Sequence, residues 1–462
     1  MANVSGKKRF KSLQSFIWLD GQCIALQKGF ANFAFKFYDN KMNILYTLLF
    51  LFAAVLPNDT ELFRAIKEDP YAAAGNLRPY PAPSEKNPDT KAPRGYKPFY
   101  FSYYGRHGSR HLTGDISFIS DYVKMLGGLE AESALTEDGM ELLRQLRWLE
   151  AEHEGNMGIL TETGYKEEEG ISERLHKRFR RIFHQCRRRR VIVRSSPSLR
   201  SAMTGTSFIM ELSRRSRKLE FDVKGGQRYY FTKWDPNPDL DATELRVLDS
   251  MIRVKLDTAA FARRFFRDEA LLRKALAGRS LGKAQYEIMH ILSVGKCIGP
   301  DAATLALFNT EELYDYAVVQ NARTASWFLH SKETGFYRDT NAGAPLINEI
   351  VCRAEEAIQG NGICADLRFG HDSGVAPTFS FLGIEGYDNP SAPLADTWRT
   401  WPAYKHVTMA CSLSLILYRN RKGDILVKIL ENERETTIPA VSPFKGPYYK
   451  WEDFKRWSTR KI

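Results

Sequence analysis

Apolar residues along this chain fall into short β-branched or aromatic runs and longer stretches with a helical repeat. The run Phe99-Tyr100-Phe101-Ser102-Tyr103 reads as a buried strand over 98–104. Val191-Ile192-Val193, Ile363 to Phe369, Leu413–Tyr418 and Ile425–Leu430 read as strands too, the last two joined by a turn at Asn420–Asp424. Helical periodicity occupies 115–155, where Met140, Leu142, Leu143, Leu146 and Leu149 follow Leu135-Thr136-Glu137-Asp138-Gly139. Further helices are predicted from Tyr165 to His184, from about Ser201 to Leu212, and near Leu346 to Gln359. Between these patterns, a Pro/Gly/Tyr-rich stretch from Pro70 to Gly95 reads as an extended lead-in and not as a helix. An Asp- and Pro-rich linker, Trp234 to Asp241, opens a helix-rich region reaching about Ser331. Asn432-Glu433 turns the chain again, and the aromatic tail Tyr448-Tyr449-Lys450-Trp451 reads as packing.

Strands alternating with helices, interrupted by one long helical stretch, predict an α/β fold: a three-layer α/β/α sheet core with an inserted mainly α-helical lobe. On this reading 61–212 is the first part of the core, 213–340 the lobe and 341–462 the second part. Ile44 to Leu56 is an apolar run of thirteen, preceded by Lys41-Met42-Asn43 and ended by Pro57. That is short for a membrane span and suits a signal-peptide core. Residues 42–57 therefore read as a signal peptide or a short anchor, and 1–41 as a basic leader or a mis-assigned start ahead of Met42. The expectation is export to the periplasm or the medium, with membrane association through the apolar run as the alternative.

The net charge of +12 over 462 residues includes +5 from residues 1–41. A positive field of this size favours anionic partners without choosing among phosphate esters, lipid and nucleic acid. Its densest run is Arg174, Lys177, Arg178, Arg180, Arg181 and Arg187 to Arg190, which reads as a solvated face or as an attractor for a polyanionic substrate. No nucleic-acid module surrounds it, so nucleic acid is not the expected partner. The 6 cysteines (Cys23, Cys186, Cys297, Cys352, Cys364, Cys411) show no CxxC or Cys/His zinc spacing, and no metal or other cofactor is expected. Cys352 and Cys364 are left open between a local disulfide and buried thiols.

The candidate chemistry sits where strands end. Tyr104-Gly105-Arg106-His107-Gly108-Ser109-Arg110 places two guanidinium forks beside one imidazole just after the first strand. That combination suits a phosphate held bidentately and attacked by a ring nitrogen. The second strand leads into Arg194-Ser195-Ser196-Pro197-Ser198-Leu199-Arg200, and the third into Gly370-His371-Asp372-Ser373-Gly374. Open α/β sheets bind ligands at the carboxyl ends of their strands, so the three turns form one expected site. Arg194 reads as a cap or surface partner, and His111 as a solvent-facing loop residue.

In this order the motifs resemble the histidine phosphatase superfamily, in its acid-phosphatase and phytase branch. The resemblance rests on Arg106-His107-Gly108-Ser109-Arg110, Arg200 and His371-Asp372, and covers about 98–430. The single Arg-His-Gly motif and the basic helix ahead of Arg200 are similar to multiple inositol polyphosphate phosphatases. Two departures stand out: His111-Leu112 follows where the family often has x-Pro, and His371-Asp372-Ser373 replaces the subgroup's His-Ala-Glu. The resemblance implies a phosphomonoester hydrolase in which His107 is the nucleophile and forms a phosphohistidine. Arg106, Arg110, Arg200 and His371 would bind the phosphoryl group, and Asp372 would protonate the leaving oxygen. Inositol polyphosphates such as phytate are the leading substrate class. The alternatives are a broad-specificity acid phosphatase on sugar phosphates, a phosphomutase, or a non-catalytic polyanion-binding protein.

Overall fold

The computed structural model describes residues 60–83, 89–185, 189–231, 238–328, 342–387 and 393–460, with 238–244 as backbone only, and the backbone of 16–19 and 22–25. The chain divides into two units at Asn58. In the first, strands β1 (Phe16–Leu19) and β2 (Gln22–Ala25) pair antiparallel. The expected signal or anchor segment lies outside the described residues, and so does the rest of the leader. Among the described residues no helix is long and apolar enough to cross a membrane.

The second unit is built on an eight-stranded sheet. Its strands are β3 (Lys97–Arg106), β4 (Arg190–Ser195), β5 (Glu220–Gly225), β6 (Ile363–Gly370), β7 (Ser412–Arg419), β8 (Ile425–Glu431), β9 (Arg434–Glu435) and β10 (Tyr448–Lys450). The order is β10-β8-β7-β3-β6-β4-β5, with β9 pairing on β8. β3, β6, β4 and β5 are parallel neighbours, whereas β7 runs antiparallel to β3. Register aligns Arg106 with Gly370 and Ser195 with Phe369, so the strands that carry the three motif turns end at one level.

The period-two alternation of β3 explains the layering. Phe101 and Tyr103 face a core built with Ile171, Leu175 and Phe208 from helices Glu162–Arg178 and Leu199–Arg215. Tyr100 and Tyr104 face the opposite core, with Ile347, Ile350 and Phe379 from Ala344–Gln359 and Asp372–Leu382. Burying each such side chain is worth about 1.5–3 kcal/mol, so β3 is anchored from both sides. The result is the expected α/β/α sandwich.

Several boundaries differ from expectation. The stretch from Pro70 is not wholly extended, because Pro70–Leu77 forms 3₁₀ turns kinked at Gly75 (φ 58°) and buried from Tyr71 to Leu77. Asp69 accepts the Tyr71 N–H at its start, and Pro at a first helical position removes a donor that would have no partner. Ala72, Ala73 and Ala74 are then small enough to pack under helix Thr310–Phe328. The lobe does not begin at 213, since β5 belongs to the core sheet; its polar, half-exposed pattern is that of an edge strand and carries no apolar run to read. Helices of the inserted region begin at Pro238, inside the stretch read as linker; 232–237 lie outside the described residues. The helix read as Tyr165–His184 starts at Glu162, capped by Thr161, and breaks at Phe179.

The basic run is only partly a solvated face. Arg174 pairs with Glu433 at 2.7 Å and Arg178 donates to Glu433 O at 2.6 Å, which ties the helix to the turn after β8, while Arg178 also pairs with Asp89 ahead of β3 at 2.9 Å. In that turn Asn432 and Glu433 adopt positive φ. Cys352 and Cys364 are both free thiols, the first exposed and the second buried, so the disulfide alternative is not realised.

Candidate active site

β3 delivers Arg106 and His107 into the turn, and tight backbone packing fixes the path of the chain beyond them. A Cβ on Gly108 would lie 2.5 Å from the Gly164 carbonyl oxygen, so only glycine lets the turn sit on the first turn of helix Glu162–Arg178. Glu167 of that helix accepts from Ser109 N (2.7 Å), Ser109 Oγ (2.8 Å) and Tyr80 N (2.7 Å). Further along, Leu112 N donates to His153 Nε2 (2.9 Å), while His153 Nδ1 donates to Leu149 O (2.6 Å). His153 is therefore a neutral clamp on the loop, and burial holds its pKa at about 4. His111 is buried against the His153 ring and contacts Ile159 O, contrary to the solvent-facing reading. Packing between two turns distant in sequence buries it, and no local pattern announces that.

His107 is 2% exposed and its Nδ1 lies 2.9 Å from Gly108 O. A carbonyl only accepts, so Nδ1 carries the proton and Nε2 keeps its lone pair. Burial, followed by the charges of Arg106, Arg110, Arg200 and His371, holds the His107 pKa well below its usual value. The ring is thus a neutral imidazole of defined tautomer.

The arginines divide by depth. Arg106 has no exposure; its Nη1 donates to the carbonyls of Asn76 (2.7 Å), Val407 (3.0 Å) and Thr408 (2.9 Å), and its Nη2 pairs with Asp372 Oδ2 at 2.8 Å. Among the described residues its buried Nε has no hydrogen-bond partner. Arg110 and Arg200 line the cavity instead, and each also has a buried, unpartnered Nε. Burial is the first cause that disfavours charge on both, and neighbouring guanidinium charge adds to it. A bound anion would relieve that strain.

β6 ends at Gly370, and His371 caps helix Asp372–Leu382. Tyr104 hydroxyl binds the His371 backbone at 3.1 and 3.3 Å, in a slot that a Cβ on Gly370 or Gly374 would fill at 2.1 and 2.2 Å. His371 Nε2 lies 2.9 Å from Ser196 Oγ, just past β4, and its ring centre is 5.5 Å from that of His107. Burial, then Arg200, lowers its pKa to about 4. Asp372 Oδ1 accepts from Ser373 N at 2.9 Å, and Oδ2 from Asn76 Nδ2 at 3.3 Å. Burial alone would raise its pKa, but Arg106, Arg110, His371 and the Asn76 amide outweigh it, so the free site holds a carboxylate.

These groups open onto a cavity of about 520 Å³. Of the six residues picked out from the sequence, His107, Arg110, Arg200, His371 and Asp372 line it, and Arg106 lies directly behind Asp372. Arg194 is paired with Asp222 at 3.0 Å and is structural. Sequence reasoning missed Asn76, Ser196, Glu167, Tyr230, Gln320 and Arg323. Ser196 alone carried a signal, as a hydroxyl at the same strand end as Arg200. Among the described residues no cluster of three His, Cys, Asp or Glu side chains could hold a metal ion.

No family model and no curated protein sequence matches the chain. Solved structures do. The apo form of Bifidobacterium longum multiple inositol polyphosphate phosphatase superposes with TM-score 0.70 at 17% identity, covering 83% of this chain and 97% of that one. Its complex with phosphate gives 0.68 at 18% identity, over 84% of this chain and 97% of that one. The phytase from D. castellii gives 0.60 at 13% identity, over 84% of each chain. The chain shares the fold of these phosphatase and phytase structures.

Proposed function

We propose that this chain is a phosphomonoester hydrolase that works through a phosphohistidine on His107. The observation that carries this reading is a buried neutral imidazole, its proton locked on Gly108 O, facing one cavity with Arg110, Arg200, His371 and Asp372. In the first step His107 Nε2 attacks phosphorus, the P–N bond forms, and the P–O bond to the alcohol breaks. Asp372 gives its proton to the departing oxygen. In the second step Asp372, now a carboxylate, takes a proton from water as that water attacks phosphorus and the P–N bond breaks. Inorganic phosphate leaves and both side chains return to their starting states.

The electrostatics support these roles. Arg110, Arg200 and the unpartnered Arg106 Nε supply fixed positive charge for the equatorial oxygens without solvent reorganisation. If Ser196 donates to His371 Nε2, the His371 Nδ1–H is left for a phosphate oxygen. Asp372 is ionised in the free site, and a bound phosphate dianion offsets the arginine charge that keeps it so. Substrate binding thus loads the acid with its proton, and acidic pH favours the step.

Inositol polyphosphates are the proposed substrate class. The fold match to a multiple inositol polyphosphate phosphatase, also solved with inositol hexasulfate, supports this, as does a cavity larger than one phosphate needs. The test is phosphate release from phytate and β-glycerophosphate by the full chain and by His107→Ala. Release by the parent and none by the variant is expected; equal release by both overturns the reading.

A further inference from the structure

Among the described residues every partner of the Asp372 carboxylate is a donor: Arg106 Nη2, Asn76 Nδ2 and Ser373 N–H. When Asp372 is protonated, none of the three can accept that proton, so it must face the cavity. Arginine and a backbone N–H have no other option. Asn76 does: a half-turn of its amide would offer Oδ1 to Asp372 and capture the proton.

The surroundings forbid that half-turn. Asn76 Oδ1 accepts from Gln320 Nε2 at 3.2 Å, so a rotated amide would set two NH₂ groups against each other. Thr324 Oγ1, 3.4 Å from Asn76 Oδ1, gives its proton to Gln320 O at 2.9 Å, so the direction of the Asn76 amide rests on Gln320. Gln320 is held in turn by Tyr286 hydroxyl, which donates to its Oε1 at 2.7 Å. Arg323 Nη1 donates to that hydroxyl at 3.4 Å. With Arg323 donating to its oxygen, Tyr286 gives its own proton to Gln320, so the chain Arg323, Tyr286, Gln320, Asn76, Asp372 donates in one sense throughout this structure. Asn76, Gln320 and Tyr286 are 5%, 2% and 7% exposed, so the links between them are largely shielded from bulk solvent.

We infer that Asn76 is a positioning residue for Asp372, held donor-side-in by the Arg323–Tyr286–Gln320 chain, so that the acid's proton is available only to the leaving oxygen of the substrate. This rests on Asp372 being the general acid. The charged and titratable groups facing Asp372 are Arg106, Arg110 and His371 from the strand ends, Arg200 from its helix, Tyr104 from β3 and Cys411 ahead of β7. From the lobe side it meets the neutral Asn76 amide.

The test compares two esters in the full-length chain: para-nitrophenyl phosphate, whose leaving group needs little protonation, and β-glycerophosphate, whose alkoxide needs a proton. In Asn76→Ala and Gln320→Leu the kcat for β-glycerophosphate should fall about 10- to 100-fold, and that for para-nitrophenyl phosphate by no more than about threefold. Tyr286→Phe removes one hydroxyl and keeps the ring, and should show the same bias at several-fold size. KM should change little. In Asn76→Ala the alkaline limb of the β-glycerophosphate profile should move to higher pH, because one donor that stabilises the carboxylate is gone. Asp372→Asn is the reference and should show the largest ester bias. Should Asp372→Asn slow both esters equally, the acid assignment fails and this inference with it. With the bias present in Asp372→Asn but absent from Tyr286→Phe and Gln320→Leu, the acid stands and the positioning role is overturned.

Discussion

The sheet-edge wall of the cavity carries charge, whereas the wall opposite is held largely by neutral hydrogen bonds. On the sheet side Arg110, Arg200, His107, His371 and Asp372 come from strand ends and the helices that follow them. Opposite stand Asn76 from the 3₁₀ helix and Gln320, Thr324, Arg323 and Trp327 from helix Thr310–Phe328. Like-charged groups packed on the sheet side leave a site whose free state is electrostatically unfavourable and whose anion-bound state is relieved. The lobe side carries Arg323 over the Trp327 ring, 5.1 Å from its centre, and otherwise fixes hydrogen-bond direction. One wall supplies the charge for the reaction, and the other fixes which way its proton points.

Substitutions on the sheet side should be the more damaging. His107→Ala should lower turnover by at least about ten-thousandfold, because both steps pass through its Nε2. An assay of phosphate release checks this, and anion binding measured by calorimetry should survive. Gly108→Ala comes next. Its Cβ would meet the Gly164 carbonyl oxygen at 2.5 Å, and backbone that cannot move aside shifts the nucleophile. A displacement near 1 Å should cost about 100-fold in kcat, with circular dichroism unchanged. Glu167→Gln puts an amide before three donors and should cost about 1–3 kcal/mol of stability, read in denaturant melts.

The response to acid is graded and involves several groups at once. His153, His176 and His371 are held at about 4 and His290 at about 3, each first by burial, against an ordinary value of 6.5. Between those limits the unfolded chain binds more protons, so stability is complete above 6.5 and falls as pH drops towards 4. Each group withholds at most about 1.4 kcal/mol per pH unit. Thermal melts should therefore weaken steadily over that window, and inorganic phosphate should soften the loss through its hold on the sheet-side wall. A flat melting profile would show that these histidines are not held neutral by the fold.

Sequence alone made the sheet-side wall legible because its residues follow short apolar strands, and a strand's end fixes where the next side chains go. Arg106, His107, Arg200, His371 and Asp372 were all found that way. Asn76 was not, because the Pro/Gly-rich stretch around it reads locally as extended; burial of Ala72 to Ala74 under helix Thr310–Phe328 winds it into 3₁₀ turns that kink at Gly75. Gln320 and Arg323 lie on a helix whose apolar positions surround it, so nothing singled out the two that reach the cavity. β5 escaped notice because an exposed edge strand has no apolar run.

The central claim is a covalent intermediate on His107. Rapid acid-free quenching during turnover, followed by peptide mass spectrometry under alkaline conditions, tests it most directly. A phosphoryl group on His107 that appears within the first turnover and decays when substrate is exhausted is the predicted result. Phosphate release in a burst with His107 unmodified throughout would contradict it.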